Sequence, residues 1–477
     1  MPTLIEQLAA FSTDTRFDDI PAAVVHEAKR LVLDSLGCAL AAVDNPKGRI
    51  GIDYGRLLGG SADATIIGTQ DRVSVFGAAF ANGELINALD MDAVVAPGHV
   101  TPYVLPGALA LAEARHASGR ALLRAVAVAH EMSWRMGKAM DYLRDTAGGQ
   151  MSPPPVYGYS STIFGATAAI AMLQGQGRAQ MVESLGIAGL IPPAQSMQGF
   201  FQHAPSTTIK YLMAGALVQA AMTAAHMGLM GHRGDAQILD DAELGFARYI
   251  GTRRWEPQHI TAGLGTHWGF ISQQMYKPYP HCRILHGPLD CLRAIVAEHD
   301  LQPGEIEGIR VWVEAFVEKP VWLTREVRHV HDAQFSIAHG MAMGAHRLPP
   351  GKDWLDPANV FSDSVMGLMH KVRIALHPDY VQAITANPSA RPTRVEVQAR
   401  GRTFSAESLY PRGTPSDDPA TQLSDAEIVA KFRHNASGVI ADAAADAVVQ
   451  AAFALDGVPD AAPLMRLVAR TPLKRAA

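Results

Sequence analysis

The stretch Phe76–Pro106, F-G-A-A-F-A-N-G-E-L-I-N-A-L-D-M-D-A-V-V-A-P-G-H-V-T-P-Y-V-L-P, constrains the fold more than any other part of the chain. It opens with a helix of small apolar residues that ends near Leu89. A helix that is apolar on every side belongs in the interior of a large protein. Two carboxylates, Asp90 and Asp92, follow at once. Buried helices rarely end in two acids unless those acids have partners or work to do. Pro97-Gly98 marks a turn, and His99 and Thr101 come directly after it. An acid and an imidazole brought together by a turn form a candidate proton-transfer pair. An Asx-type cap on a surface loop is the other use of the same residues.

The chain's 477 residues exceed the size at which a single core stops growing, so two domains are expected. Only 18% of the residues are charged, and Ala and Gly are abundant, which suits helices packed closely through small side chains. Lys plus Arg number 41 against 46 Asp plus Glu, a formal net charge of -5, so no nucleic-acid surface is expected. Apolar runs are broken by charge, Gly or Pro before reaching membrane-spanning length. The opening M-P-T-L-I-E-Q-L reads as an amphipathic helix and not as a signal peptide. Cys38, Cys282 and Cys291 fit no disulfide scaffold. Together these features point to a soluble cytoplasmic protein. Cys282 and Cys291 stand near His281 and His286, but without the spacing of a structural zinc site, so no metal is expected.

Thr3 is a candidate cap for a first helix, and Ile20-Pro21 opens a second. Asp34, in that second helix, reads as a buried acid bonded to backbone or to an arginine. A short strand at Asp63–Gly68 precedes helices that run from Val73 to about Tyr142. Gly148–Tyr159, with three consecutive prolines, is a loop. Ser160-Ser161-Thr162 then open an apolar helix, whose first N–H groups either receive a substrate carboxylate or take a hydroxyl cap. A helix at 182–190 is followed by a long one from about Ser206 to Met230 that carries Lys210. A lysine in such apolar surroundings requires an anion or must snorkel out.

From about residue 270 the texture changes, and K-P-Y-P-H-C-R-I-L-H-G gathers Lys277, His281, Arg283 and His286. A helix at 282–297, strands at 306–314 and 372–375, and helices at 336–346 and 360–369 describe a modest α+β domain. The segment 395–404 reads as a strand forming half of a hairpin. Ser424–Glu427 is a capping box, and the Ala-rich helical tail returns to the first domain. The resulting division is 1–269, 270–413 and 414–477.

No Walker loop, dinucleotide fingerprint, G-x-S-x-G or H-E-x-x-H occurs, which argues against hydride transfer and kinase chemistry. Asp90, Asp92, His99, Lys210, Lys277, His281, Arg283, His286 and His339 are the unusual polar residues. Such a set suits a substrate with several carboxylates. It also suits proton abstraction beside a carboxylate, with the cations holding the developing charge. Elimination of water, loss of CO2 and epimerisation all fit that description. His339, beside Gly340, is either a buried histidine bonded to backbone or a cleft residue. His281 and His286 lie near a helix start, where a neutral imidazole is favoured. His329 and His331 read as surface-loop residues.

Several segments, in order, resemble the MmgE/PrpD family over nearly the whole chain. They are V-V-H-E-A-K-R-L-V-L-D-S-L-G-C at 24–38, N-A-L-D-M-D-A-V-V-A-P-G-H at 87–99, K-Y-L-M-A-G-A at 210–216, K-P-Y-P-H-C-R-I-L-H at 277–286, F-S-I-A-H-G at 335–340, R-G-T-P at 412–415 and K-F at 431–432. The resemblance implies a mainly α protein: a large all-helical domain built from both chain ends, with a smaller inserted α+β domain. It also implies a homodimer, no cofactor, and a cleft taking a di- or tricarboxylate.

The family's catalytic acid falls on Asp90, its motif histidine on His99 and its lysines on Lys210 and Lys277, with His339 where the family has a tyrosine. Asp92, Thr101, Tyr159, Ser160, His281, Arg283 and His286 are the expected substrate-binding residues. Three departures stand out: G-H-V-T-P replaces G-H-P, no histidine occurs in 155–164, and His339 replaces the tyrosine. They count against strict cis-aconitate decarboxylation and against 2-methylcitrate itself. Dehydration of a 2-methylcitrate-like hydroxy acid is the first expectation, with epimerisation of an imino-dicarboxylate, decarboxylation and a non-catalytic scaffold as alternatives.

Overall fold

The computed structural model describes residues 1–470 apart from 142–143, 147–148, 150, 152 and 195–196. Tyr142, the expected end of a helical run, and Gly148, the expected start of the proline loop, lie outside the described residues. The fold is mainly α. Helices Ala22–Ala42, Val75–Ala88, Thr101–Ala114, Gly119–Ala139, Thr162–Leu173 and Ala214–Leu229 pack on one another as a bundle. Val75–Ala88 is buried along nearly its whole length, as its uniform apolar composition requires. Close packing comes from small side chains: a Cβ on Gly165 would overlap the carbonyl of Ala129 in the neighbouring helix.

The C-terminal helix Asp425–Ala436, opened by the Ser424/Glu427 capping box, lies against Ala22–Ala42. A four-stranded sheet lies between these two halves of the sequence, in the order Val372–Leu376, Ile306–Val313, Thr393–Ala399, Arg402–Ser408. The first pair is parallel and the others antiparallel. Helix His286–Glu298 covers the buried face of the last two strands. In Thr393–Ala399 buried and outward residues alternate, the period of a strand with one wet face.

Two local expectations are corrected. The segment read as one strand at 395–404 is itself a complete hairpin, turning at Arg400-Gly401, where both residues take positive φ. The long helix begins at Ala214, not near Ser206, so Lys210 sits in irregular backbone ahead of it. The β-branched run Thr207-Thr208-Ile209 is a poor helix start. Instead the buried Glu84 carboxylate accepts the Gly215 N–H at 2.9 Å and so satisfies the true first turn. Among the described residues, no helix is long and apolar enough to cross a membrane.

Candidate active site

Helix Val75–Ala88 delivers Asp90 to the interior. Its backbone leaves the helix with Asp90 at φ 54, in the left-handed region that Asp tolerates better than most side chains. The chain then folds into a small hairpin, Val94–Val95 against Gly98–His99, which brings His99 back toward Asp90. Val94 also exchanges two 2.8 Å backbone hydrogen bonds with Met275. That bridge between distant segments places Lys277 beside the same acid.

Asp90 is fully buried and meets three ionisable partners, Lys277, Lys210 and His99. Lys277 Nζ donates to Oδ2 at 2.6 Å and Lys210 Nζ to Oδ1 at 3.1 Å. Lys210 also donates to the Asn87 carbonyl. His99 spans the two acids, with Nδ1 2.6 Å from Asp92 Oδ2 and Nε2 3.4 Å from Asp90 Oδ1. Burial pushes the Asp90 carboxyl up, but Lys210, Lys277 and then His99 outweigh it and hold it far below the usual carboxylate range. Burial likewise opposes ionisation of Asp92, and His99 overcomes it. For Lys210, burial prevails over the attraction of Asp90 and pulls the ammonium down to about 8. Asp90 is shared by two ammonium groups, more cations than that one carboxylate neutralises. A desolvated surplus cation is a receptor for an anion.

Aromatic rings wall the cluster. His99 stacks on Tyr211 at 4.9 Å between centroids, and Tyr211 stacks on Tyr159 at 5.4 Å. Burial, then Asp90, keeps both phenols protonated well above their usual range. Gly98 has φ 148, and a Cβ there would overlap the Tyr159 ring, so the turn must carry glycine for Tyr159 to cover it. Tyr211 lies near the Cys282 thiol, whose ionisation is suppressed by burial and next by Asp90. Cys282 and Tyr211 belong to this wall, yet the sequence reading used the cysteine only to weigh zinc and passed over the tyrosine. Their positions directly after His281 and Lys210 were the available signal.

The other sequence candidates divide. His281 lies behind the cluster, with Nδ1 donating to the Gln334 carbonyl at 3.1 Å and Nε2 unpartnered among the described residues. Burial holds it neutral, at about 3. His286 and Arg283 bond to each other and to backbone at His281 and Arg412, with Arg283 also reaching Thr414. His339 is buried and directed to the Val360 carbonyl at 3.0 Å, away from Asp90. Its neighbour Gly340 does permit a close approach, which Leu285 and His281 make. Ser160 donates to the Pro193 carbonyl at 2.5 Å. Thr101 opens helix Thr101–Ala114, its hydroxyl buried and without a partner among the described residues. His331, read as a surface-loop residue, is buried.

A second layer supports the loop. Lys431 Nζ donates to Asp34 Oδ1 at 2.6 Å and to the Met91 carbonyl at 2.7 Å, so the C-terminal helix grips the chain between Asp90 and Asp92. The partner of Asp34 is therefore a lysine from the far end of the sequence, not an arginine. Lys47 Nζ reaches the Asn87 side chain at 3.3 Å, and the Asn87 amide lies 3.4 Å from Asp92. Among the described residues, no group of three His, Cys, Asp or Glu side chains forms a cage suited to a metal ion.

Two family models match the chain: the MmgE/PrpD N-terminal domain over residues 6–258 and the MmgE/PrpD C-terminal domain over residues 279–455. Among curated proteins, the chain is similar to a cis-aconitate decarboxylase of Homo sapiens, 25% identical over 93% of this chain and 90% of that protein. It is similar to cis-aconitate decarboxylases of Mus musculus, at 24% over 98% and 94%, and of Aspergillus terreus, at 23% over 97% and 95%.

Proposed function

Because the chain belongs to the MmgE/PrpD family, we propose that it is a cofactor-independent lyase acting on a di- or tricarboxylate by proton transfer at a carbon beside a carboxylate. The observation that carries this reading is one buried carboxylate, Asp90, shared by two ammonium groups and approached by the Asp92–His99 pair. Lys210 and Lys277 bind substrate carboxylate and hold charge as it spreads onto that group. Asp90 is too firmly anionic to be an effective base, so its part is to gather the two lysines. His99 moves the proton: Asp92 fixes its Nδ1 side, and Nε2, 3.4 Å from Asp90 Oδ1, is the nitrogen that exchanges a proton with the reacting carbon.

Two reactions use this arrangement. In decarboxylation, the C–C bond to one carboxylate breaks, CO2 departs and the electron pair moves toward the remaining unsaturated acid. His99 then protonates the carbon. The full-length similarity to cis-aconitate decarboxylases favours this course. In dehydration, neutral His99 takes the proton next to the carboxylate, and a second group must protonate the leaving hydroxyl. Lys210, at about 8, has the acidity to serve, and it keeps the 2-methylcitrate-like reading as the second. The lack of a histidine in 155–164 and His339 in place of the tyrosine that the family resemblance implies count against strict cis-aconitate and against 2-methylcitrate itself as the substrate.

The test is to incubate the pure protein in deuterated water with cis-aconitate and, separately, with citrate-like hydroxy acids, following both by NMR. CO2 release with one deuterium incorporated identifies decarboxylation, and a new alkene from a hydroxy acid identifies dehydration. Deuterium entering without net loss points to epimerisation. No turnover and no exchange with any of these acids would refute the enzymatic reading and leave the scaffold.

A further inference from the structure

A cavity of about 270 Å³ reaches Ala88, two residues before Asp90. Its inner end is formed by Lys47, Ala88, His331 and Gln334, all buried. Its outer end carries the exposed Arg328 and His329. No carboxylate is among the described residues that line it. The cavity also meets the start of the 12-residue helix Pro46–Leu57, whose dipole favours an anion although Asn45 already caps the Lys47 N–H at 3.0 Å.

Two unpartnered atoms distinguish this place from a basic surface patch. Among the described residues, His331 Nε2 and Gln334 Oε1 are buried without any hydrogen-bond partner. His331 is 8% exposed and Gln334 1%. A buried polar atom left unpaired is costly, and natural sites leave one so where a ligand completes it. Gln334 meanwhile donates its amide to the Ala88 carbonyl at 2.9 Å, and Lys47 holds Asn87, whose carbonyl accepts from Lys210. The inner wall of the cavity is thus the outer wall of the Asp90 cluster.

We propose that this cavity is a carboxylate-binding subsite for a polycarboxylate on its approach to the Asp90 cluster, an inference that rests on the function proposed above. Arg328, which pairs with the exposed Glu326, and His329 stand at the mouth, and Lys47, 3.8 Å from the Glu84 carboxylate, is the inner cation that can be shared with an incoming carboxylate. His331, which burial holds neutral, and Gln334 Oε1 offer the remaining polar contacts, suited to a hydroxyl or a protonated acid.

The experiment is a calorimetric titration of tricarballylate, a non-reacting tricarboxylate, into the full-length protein and its Arg328→Glu and His331→Phe variants, at two salt concentrations. Circular dichroism checks the fold, and Arg328, being exposed, keeps the test valid should His331→Phe fail to fold. The expected result is binding to the wild type, weakened at least about threefold by Arg328→Glu with a smaller effect at high salt. His331→Phe should weaken it about tenfold. Binding to the wild type with unchanged affinity in Arg328→Glu overturns the subsite and leaves the proposed function standing. A wild type that fails to bind at about 10 mM overturns the polycarboxylate reading itself, and the subsite with it.

Discussion

Asp90→Asn isolates the electrostatic core of this protein without needing its substrate. The substitution keeps the shape of the side chain and removes one charge. The wild-type acid is fully buried, with Lys277 at 2.6 Å and Lys210 at 3.1 Å. After the change, two ammonium groups held by one side chain lose their shared counter-charge. At a separation of ~6 Å and an effective dielectric of ~20 their repulsion is roughly 3 kcal/mol. Breaking a buried ion pair from one side costs about 3–5 kcal/mol by a different route of reasoning, so the two figures agree.

The penalty carries a pH signature. Lys210 already sits at about 8 in the folded wild type, below the 10.5 of an unperturbed lysine. Without Asp90 it falls further, so the folded variant binds fewer protons than the unfolded chain across the window up to that unperturbed value. Stability of the variant then rises with pH relative to wild type, by up to about 1.4 kcal/mol per pH unit for one proton. Urea unfolding followed by circular dichroism at pH 6, 7.5 and 9 reads the effect. The expected outcome is a loss of about 3–5 kcal/mol at pH 6 that shrinks by pH 9. Added tricarballylate should restore part of the loss by supplying a replacement carboxylate. A variant within about 1 kcal/mol of wild type at pH 6, with no pH trend, refutes a dry ion cluster around Asp90.

His99→Gln should lower kcat by roughly 10²–10⁴ while leaving KM near its wild-type value, because the ring moves a proton and does not bind charge; a change confined to KM contradicts that role. The basic limb of the pH–rate profile should fall as pH rises through about 8, where the Lys210 ammonium discharges, and Lys210→Arg should move that limb upward. His339→Gln should alter kcat/KM by less than about threefold, since the imidazole serves the Val360 carbonyl and not the cluster; a hundredfold loss in a folded variant would return it to the site. Below the unperturbed carboxylate range the protein should lose stability, because Asp90 is held down by its lysines. That contribution is present above about 3.9 and disappears as pH falls through the depressed value, and Asp90→Asn should abolish it in acid titrations followed by circular dichroism.

Local chemistry made much of this molecule legible in advance. The capping boxes at Thr3 and Ser424 and the alternation at 306–314 are short-range patterns, and helices and strands appear where they indicated. Asp90, Asp92, His99, Lys210 and Lys277 stood out for a reason that needs no coordinates: a charge among apolar neighbours has to find a partner. The same logic identified Asp34 as buried and paired.

What the chain's own order could not reveal was who meets whom. The two bonds between Val94 and Met275 join segments far apart in sequence and place Lys277 on Asp90, and Lys431 reaches Asp34 and Met91 from near the other end. Side-chain direction was equally hidden. His281, His286 and His339 share one residue type and similar apolar surroundings, yet backbone carbonyls capture each ring, while His99 is captured by acids. Helix ends also depended on remote groups, as when Glu84 set the start at Ala214 in place of Ser206. Periodicity and charge fix which residues must be inside and must be neutralised, because those demands act over a turn or two of chain. Which partner satisfies them is decided by packing, since a buried charge takes the nearest complementary group that the assembled fold presents, wherever that group lies in the sequence.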